Sequence, residues 1–151
     1  MSDNYNYSVG CAVVRGDEIL LVRHAYGSAA GKLLIPGGYL NEGELPEEAA
    51  VREVFEETKV NASAERLVGI RCSRKTWYIL FAMKYEDGEP ESDHNENSEA
   101  GFFKMDDALN MPDCTEMTKI VIRKLKNNEA SSFVPDAEYK RRKGDDFALY
   151  L

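Results

Sequence analysis

The apolar positions of this chain fall into short runs separated by polar turns. Residues 7–14 form a valine-rich run and residues 19–22 a second, and Arg15-Gly16-Asp17-Glu18 between them has the make-up of a hairpin turn. Residues 26–32 are small and glycine-rich, which predicts a loop. Leu33-Leu34-Ile35 is a short strand that Pro36-Gly37-Gly38 should stop. From Leu45 or Pro46 to Thr58 the period becomes helical. Pro46 suits a first turn, where its missing N–H costs nothing. Glu44, Glu47 and Glu48 favour the positive end of the helix dipole. Ala50, Val51, Val54 and Phe55 form its predicted apolar side.

Further on, residues 66–72 and 76–85 predict a strand pair, residues 86–99 an exposed acidic loop, and residues 101–104 another strand. Residues 106–109 fit a short helical turn. Residues 113–125 carry Met117, Ile120, Val121 and Leu125 at helical spacing, with Asp113 or Thr115 as cap. Strands, helix, strands and helix in that order predict an α/β fold, a mixed sheet between helices in an α/β/α sandwich. The tail beyond residue 127 has no clear period. It holds a basic cluster, Lys140-Arg141-Arg142-Lys143, and an apolar end, Phe147-Ala148-Leu149-Tyr150-Leu151.

Composition narrows the class. A chain of 151 residues, 43% hydrophobic and 30% charged, fits one domain over residues 1–151, with a C-terminal extension from about residue 127. No apolar run approaches bilayer length. Residues 1–8 are polar and lack a basic-then-apolar signal, so a cytoplasmic protein is expected. Cys11, Cys72 and Cys114 are far apart and form no Cys-x-x-Cys pair; Cys11 and Cys72 are expected to be buried as small apolar residues. The net charge of -8 argues against a stable nucleic-acid partner and against an anionic membrane. It leaves room for a phosphorylated small molecule, because a bound cation inverts the local sign.

The candidate chemistry lies on the predicted helix. Glu53, Glu56 and Glu57, spaced by three and four, share one face. Like charges at that spacing repel, and a divalent cation would convert the repulsion into binding. Arg52 lies four residues after Glu48 and four before Glu56, and Glu48 to Arg52 is the favourable order for an ion pair. Glutamate-rich helix faces are usually just solvated. Here, however, Gly37-Gly38 leads into the helix, and glycine lets backbone approach a metal or phosphate closely.

Gly38, Glu44, Arg52, Glu53, Val54, Glu56, Glu57 and Val60 together resemble the box of the Nudix hydrolases, the MutT-like family: Gly-x5-Glu-x7-Arg-Glu-U-x-Glu-Glu-x-Gly-U, with U bulky and apolar. The order of strands around it is similar to the Nudix fold over roughly residues 7–126. Lys59 departs from the family's glycine, which ends the helix in a left-handed turn; Asn61 could take that turn instead. The resemblance implies a pyrophosphohydrolase acting on a nucleoside diphosphate linked to another moiety. A nucleoside triphosphate, a dinucleoside polyphosphate and a nucleotide sugar all stay open. It implies Mg2+ or Mn2+ held by Glu53, Glu56, Glu57 and the carbonyl of Gly38, and a small-molecule nucleotide as partner. Among these residues it implies catalytic roles for Glu53, Glu57 and Arg52. Glu53 is the first choice as general base, and Glu99 or Glu96 from the acidic loop the second. Gly37, Gly38, Arg23 and Arg71 are substrate-binding candidates.

Other readings are weaker. Asp93-x-Asn95-x-Asn97 begins like a calcium loop, but Ser98 and Lys104 occupy the positions that need glycine and an acid. No P-loop and no Gly-x-Ser-x-Gly elbow occurs. Trp77 and Tyr78 can stack on a base but fit a strand core better. The Ser-Gln-Pro-Trp-Pro-Phe-Pro pattern of NADH pyrophosphatases does not occur. The alternative class is a Nudix-fold module that binds a nucleotide without cutting it. The apolar C-terminal end suits either the chain's own core or a homodimer.

Overall fold

A computed structural model describes residues 5–136 and 149–151. The elements run β1 (Asn6–Arg15), β2 (Glu18–His24), β3 (Leu33–Leu34), β4 (Gly37–Tyr39), α1 (Pro46–Thr58), β5 (Asn61–Cys72), β6 (Thr76–Asp87), β7 (Asn97–Lys104), α2 (Met105–Leu109) and α3 (Glu116–Lys126). The sheet is mixed and seven-stranded. Its main path is β3-β2-β1-β6-β5, with β4 on β1 and β7 on β2. β1 and β6 are parallel, and the β1–β2 and β5–β6 pairs are antiparallel.

The period of two along the strands creates two cores, one per face. Val9, Cys11 and Val13 of β1 and Leu20 of β2 pack with Phe81 and Met83 beneath Ala49, Ala50 and Val54 of α1. The intervening Ala12, Ile19 and Leu21 pack on the opposite face with Met105 and Ala108 of α2 and Val121 and Ile122 of α3. Helices therefore cover both faces, as the element order predicts.

Several expectations are corrected. Gly37 and Gly38 do not form a free turn; they lie in β4 and pair with Gly10 and Val9 of β1. β5 begins at Asn61, and β7 begins at Asn97, so Glu99 lies in a strand and not in the acidic loop. Val51 and Phe55 of α1 are 40% and 44% exposed, because the helix turns Ala49, Ala50, Glu53, Val54 and Glu57 toward the sheet. The left-handed turn after α1 is taken by Lys59 itself (φ 64°), whose N–H donates to the Phe55 carbonyl at 2.9 Å. Cys72 is exposed, not buried, and Trp77 is 44% exposed, since both lie at the far end of the β5–β6 ladder, where they pair with each other.

Near the C-terminus, Phe133 pairs with Leu67 of β5. The Tyr150 ring meets Phe81 edge to face at 5.9 Å, and its hydroxyl donates to Glu47. The apolar end thus packs in part on the chain's own core. The basic cluster at residues 140–143 lies outside the described residues. Among the described residues, no helix is long and apolar enough to cross a membrane.

Candidate active site

The site starts from the entry into α1. Pro46 opens the helix, and Leu45 at the cap position offers no side-chain bond to the free amides. Glu44, in the loop before the helix, accepts from Asn41 N–H at 2.9 Å. Its carboxylate also takes both Nε and Nη2 of Arg52, at 2.7 and 2.8 Å. Such a two-point grip fixes direction as well as charge. Arg52 further donates to Glu53 at 2.9 Å, Glu56 at 3.0 Å and the Tyr39 carbonyl at 3.0 Å. The ion-pair partners of Arg52 are thus Glu44, Glu53 and Glu56. The expected Glu48 pair is not formed, because Glu44 reaches the guanidinium from the preceding loop and satisfies its fork. The guanidinium holds the Glu44 carboxyl below its usual range.

Glu53 and Glu57 point from α1 toward the sheet and are only 7% and 3% exposed. Glu96, from the loop before β7, joins them: carboxylate oxygens of Glu53, Glu57 and Glu96 all lie within 4.8 Å of one another. Burial pushes the Glu57 carboxyl up to about 9, and the neighbouring Glu53 and Glu96 push the same way. Burial also raises Glu53, opposed by its hydrogen bond from Arg52. Gly37 N–H gives Glu57 one long bond of 3.4 Å. Packed, buried acids of one sign are costly unless protons or a cation hold them together. An all-oxygen donor set suits a hard divalent ion such as Mg2+ or Mn2+. These residues therefore fit such an ion.

The glycines are required by close approach. A Cβ on Gly38 would lie 2.5 Å from Glu53 Oε1, and one on Gly37 would lie 2.0 Å from the Val9 carbonyl. Both line a cleft of about 410 Å³ with Tyr39, Arg71, Tyr78 and His24. The Arg71 guanidinium lies over the Tyr78 ring, 4.8 Å from its centroid.

The other candidates separate. Glu56 is on α1, but its side chain is 57% exposed and occupied by Arg52, and it is not part of the three-carboxylate group. Glu99 and Arg23 pair with each other at 2.8 Å. Arg23 also contacts Gly31 O at 2.8 Å and Asp113 at 2.5 Å, which clamps the loop before β3 to the segment before α3. Neither residue lines the cleft. Asn97, missed in the sequence, is 1% exposed and donates from Nδ2 to the Glu57 carbonyl at 2.9 Å. Tyr39 and His24 were missed as cleft residues too. No local motif marks them, because sheet pairing alone brings them to the same place.

A mixed sheet between helices, carrying a glycine strand beneath a buried acidic helix face, defines a class of fold and site. The model of the NUDIX domain matches residues 4–124, and the chain belongs to that family. It is 32% identical over 107 residues to an NAD-capped RNA hydrolase, NudC, of Pectobacterium carotovorum, covering 67% of this chain and 39% of that protein. The chain spans between 28% and 40% of the length of such curated relatives. A NUDIX hydrolase from Nitrosomonas europaea superposes with a TM-score of 0.72 at 25% identity, over 93% of this chain and 99% of the other. A UDP-X diphosphatase shares the fold at a TM-score of 0.67 and 22% identity, over 85% of this chain and 66% of the other.

Proposed function

We propose that this protein is a pyrophosphohydrolase that cuts a phosphoanhydride bond in a nucleoside diphosphate linked to a further group. The observation that carries the reading is the meeting of Glu53, Glu57 and Glu96 within 4.8 Å beside the Gly37–Gly38 strand and its cleft. These three carboxylates, with the carbonyl of Gly38, would hold Mg2+ or Mn2+. When bound, the cation supplies charge neutralisation on the diphosphate and a more acidic water.

The chain's own groups do the rest. Arg52 orients the Glu53 carboxylate through its bond at 2.9 Å. Glu53, held in this orientation beside the cleft, accepts the proton of the attacking water. Gly37 and Gly38 leave room for the Val9 carbonyl and the Glu53 carboxylate, and so let β4 line the cleft beside the acids. Arg71, over the Tyr78 ring, offers charge to a phosphate, and the exposed ring of Tyr39 offers a face to a base. The relative that acts on NAD-capped RNA and the one named for UDP-X support a nucleotide-linked diphosphate as the substrate class. Nucleoside triphosphates, dinucleoside polyphosphates and nucleotide sugars form the test panel.

The test is phosphate or pyrophosphate release from that panel with Mg2+, for wild type and Glu57→Gln. The substitution is expected to cut turnover by at least about a hundredfold, as for loss of other charge-stabilising groups, while the protein stays folded. Equal rates in both proteins would reject the assigned site. Tight nucleotide binding without hydrolysis by wild type would mark a binding module instead.

A further inference from the structure

We propose that Asn97 is a positioning residue that sets where the Glu96 carboxylate stands relative to Glu53 and Glu57. The inference rests on the reading that these three hold a divalent cation. Glu96 belongs to the loop between β6 and β7, which is shaped from within and is tied to the end of β2, where Ala25 N–H donates to the Glu96 carbonyl at 3.0 Å. Asp93 Oδ1 accepts from the N–H groups of Asn95, Glu96 and Asn97 at 2.9, 3.0 and 3.0 Å. Ser92 Oγ donates to the Asn97 carbonyl at 3.0 Å. These bonds give the loop its form but do not locate it against α1.

Among the described residues, two hydrogen bonds reach α1 from the loop and its end. Glu91 N–H donates to the Thr58 carbonyl at 2.8 Å, well before Glu96 in the loop. Asn97 Nδ2 donates to the Glu57 carbonyl at 2.9 Å. Asn97 follows Glu96 directly, and its acceptor belongs to a residue that carries another of the three carboxylates. One hydrogen bond therefore couples two members of the group.

The strand is built to bring this side chain inward. The β2–β7 ladder steps from Arg23↔Glu99 to His24↔Asn97, so Ser98 is an extra, bulged residue. Bulges re-aim side chains. Here the bulge separates Glu99, which is exposed and paired with Arg23, from Asn97, which is buried. The amide orientation is fixed as well. Turning Oδ1 toward the Glu57 carbonyl would oppose two acceptors. In the orientation observed, Oδ1 is the buried side-chain polar atom without a partner among the described residues. A buried acceptor in that state is destabilising. An apolar residue would serve packing better, so the donor to Glu57 is what asparagine provides here.

Mn2+ serves as the probe, its Kd measured by electron paramagnetic resonance of the free ion on the full chain. The proteins compared are wild type, Asn97→Ala, Asn97→Ser, Glu96→Gln and the two double variants, with thermal unfolding followed in parallel. Asn97→Ser keeps a shorter donor and stands in should the alanine variant fail to fold. Each Asn97 substitution is expected to weaken Mn2+ binding about tenfold, the usual scale for a group that orients a ligand. In the Glu96→Gln background the same substitutions are expected to change Kd little further, because Asn97 acts through Glu96. Wild-type Mn2+ affinity in a folded Asn97 variant, or equal weakening with and without the Glu96 carboxylate, overturns the proposal. No Mn2+ uptake by wild type, or no effect of Glu96→Gln, overturns the cation reading beneath it and is distinguishable by that result alone.

Discussion

Gly38 shows how a residue with no side chain controls a charged one. The Glu53 carboxylate fills the space a Cβ would need, with Oε1 at 2.5 Å and Cδ at 2.6 Å from its ideal position. Gly38→Ala must push that carboxylate off Arg52 or out of the three-carboxylate group. Mn2+ affinity is expected to fall by about ten- to hundredfold, while the unfolding temperature moves little; unchanged affinity by calorimetry would show that the carboxylate adapts. Glu44 carries a separate pH signature. Its folded carboxyl titrates below the ordinary value of 4.5 because Arg52 grips it. A lowered pKa contributes stability that is present above 4.5 and is lost as the pH falls through the folded value. Glu44→Gln is therefore expected to be less stable than wild type at neutral pH and to lose less on acidification. Chemical denaturation at pH 7 and near pH 3 checks both signs.

At the scale of the element, α1 was legible in its ends and only in part in its face. Pro46 marked the start and Thr58 the end, and the helix runs Pro46–Thr58. Of the expected apolar side, Ala50 and Val54 are buried, but Val51 and Phe55 are exposed and Glu53 and Glu57 are buried in their place. The sequence period locates a stripe, but the partner surface decides which stripe is covered. The helix end follows the same logic. Lys59 holds a left-handed conformation that its Cβ disfavours, and it keeps Nζ over the Phe55 ring at 5.4 Å. Lys59→Gly should relieve the strain and lose the ring contact, for a net gain of about 0.5–1 kcal/mol. A higher midpoint in urea is the expected result, and a lower one would mean that the lysine contact outweighs the strain.

For the whole molecule, the proposed cation site would link ligand binding to folding. Glu53 and Glu57 come from α1 and Glu96 from the loop before β7, so the cluster exists only in the folded chain. A cation at a hundred times its Kd should add about 2.7 kcal/mol. Differential scanning calorimetry should show a melting temperature that climbs with Mg2+ or Mn2+ concentration. Glu57→Gln should flatten that climb; an equal climb in the variant would place the binding elsewhere.

The order of the helices and of the strands other than β4, the bounds of α1 and the register of Gly38, Arg52, Glu53 and Glu57 were determined by the sequence itself. Each depends on neighbours within a few residues: turn residues, helix starts and a spacing of three or four. The folded structure decided what distance along the chain conceals. It exchanged Glu56 for Glu96 in the acidic group and Glu48 for Glu44 beside Arg52. It placed Glu99 against Arg23 and turned Asn97 onto the carbonyl of Glu57. Those partners meet through a sheet register, a bulge and a loop anchored on a helix end, and no local pattern encodes which distant backbone will stand opposite.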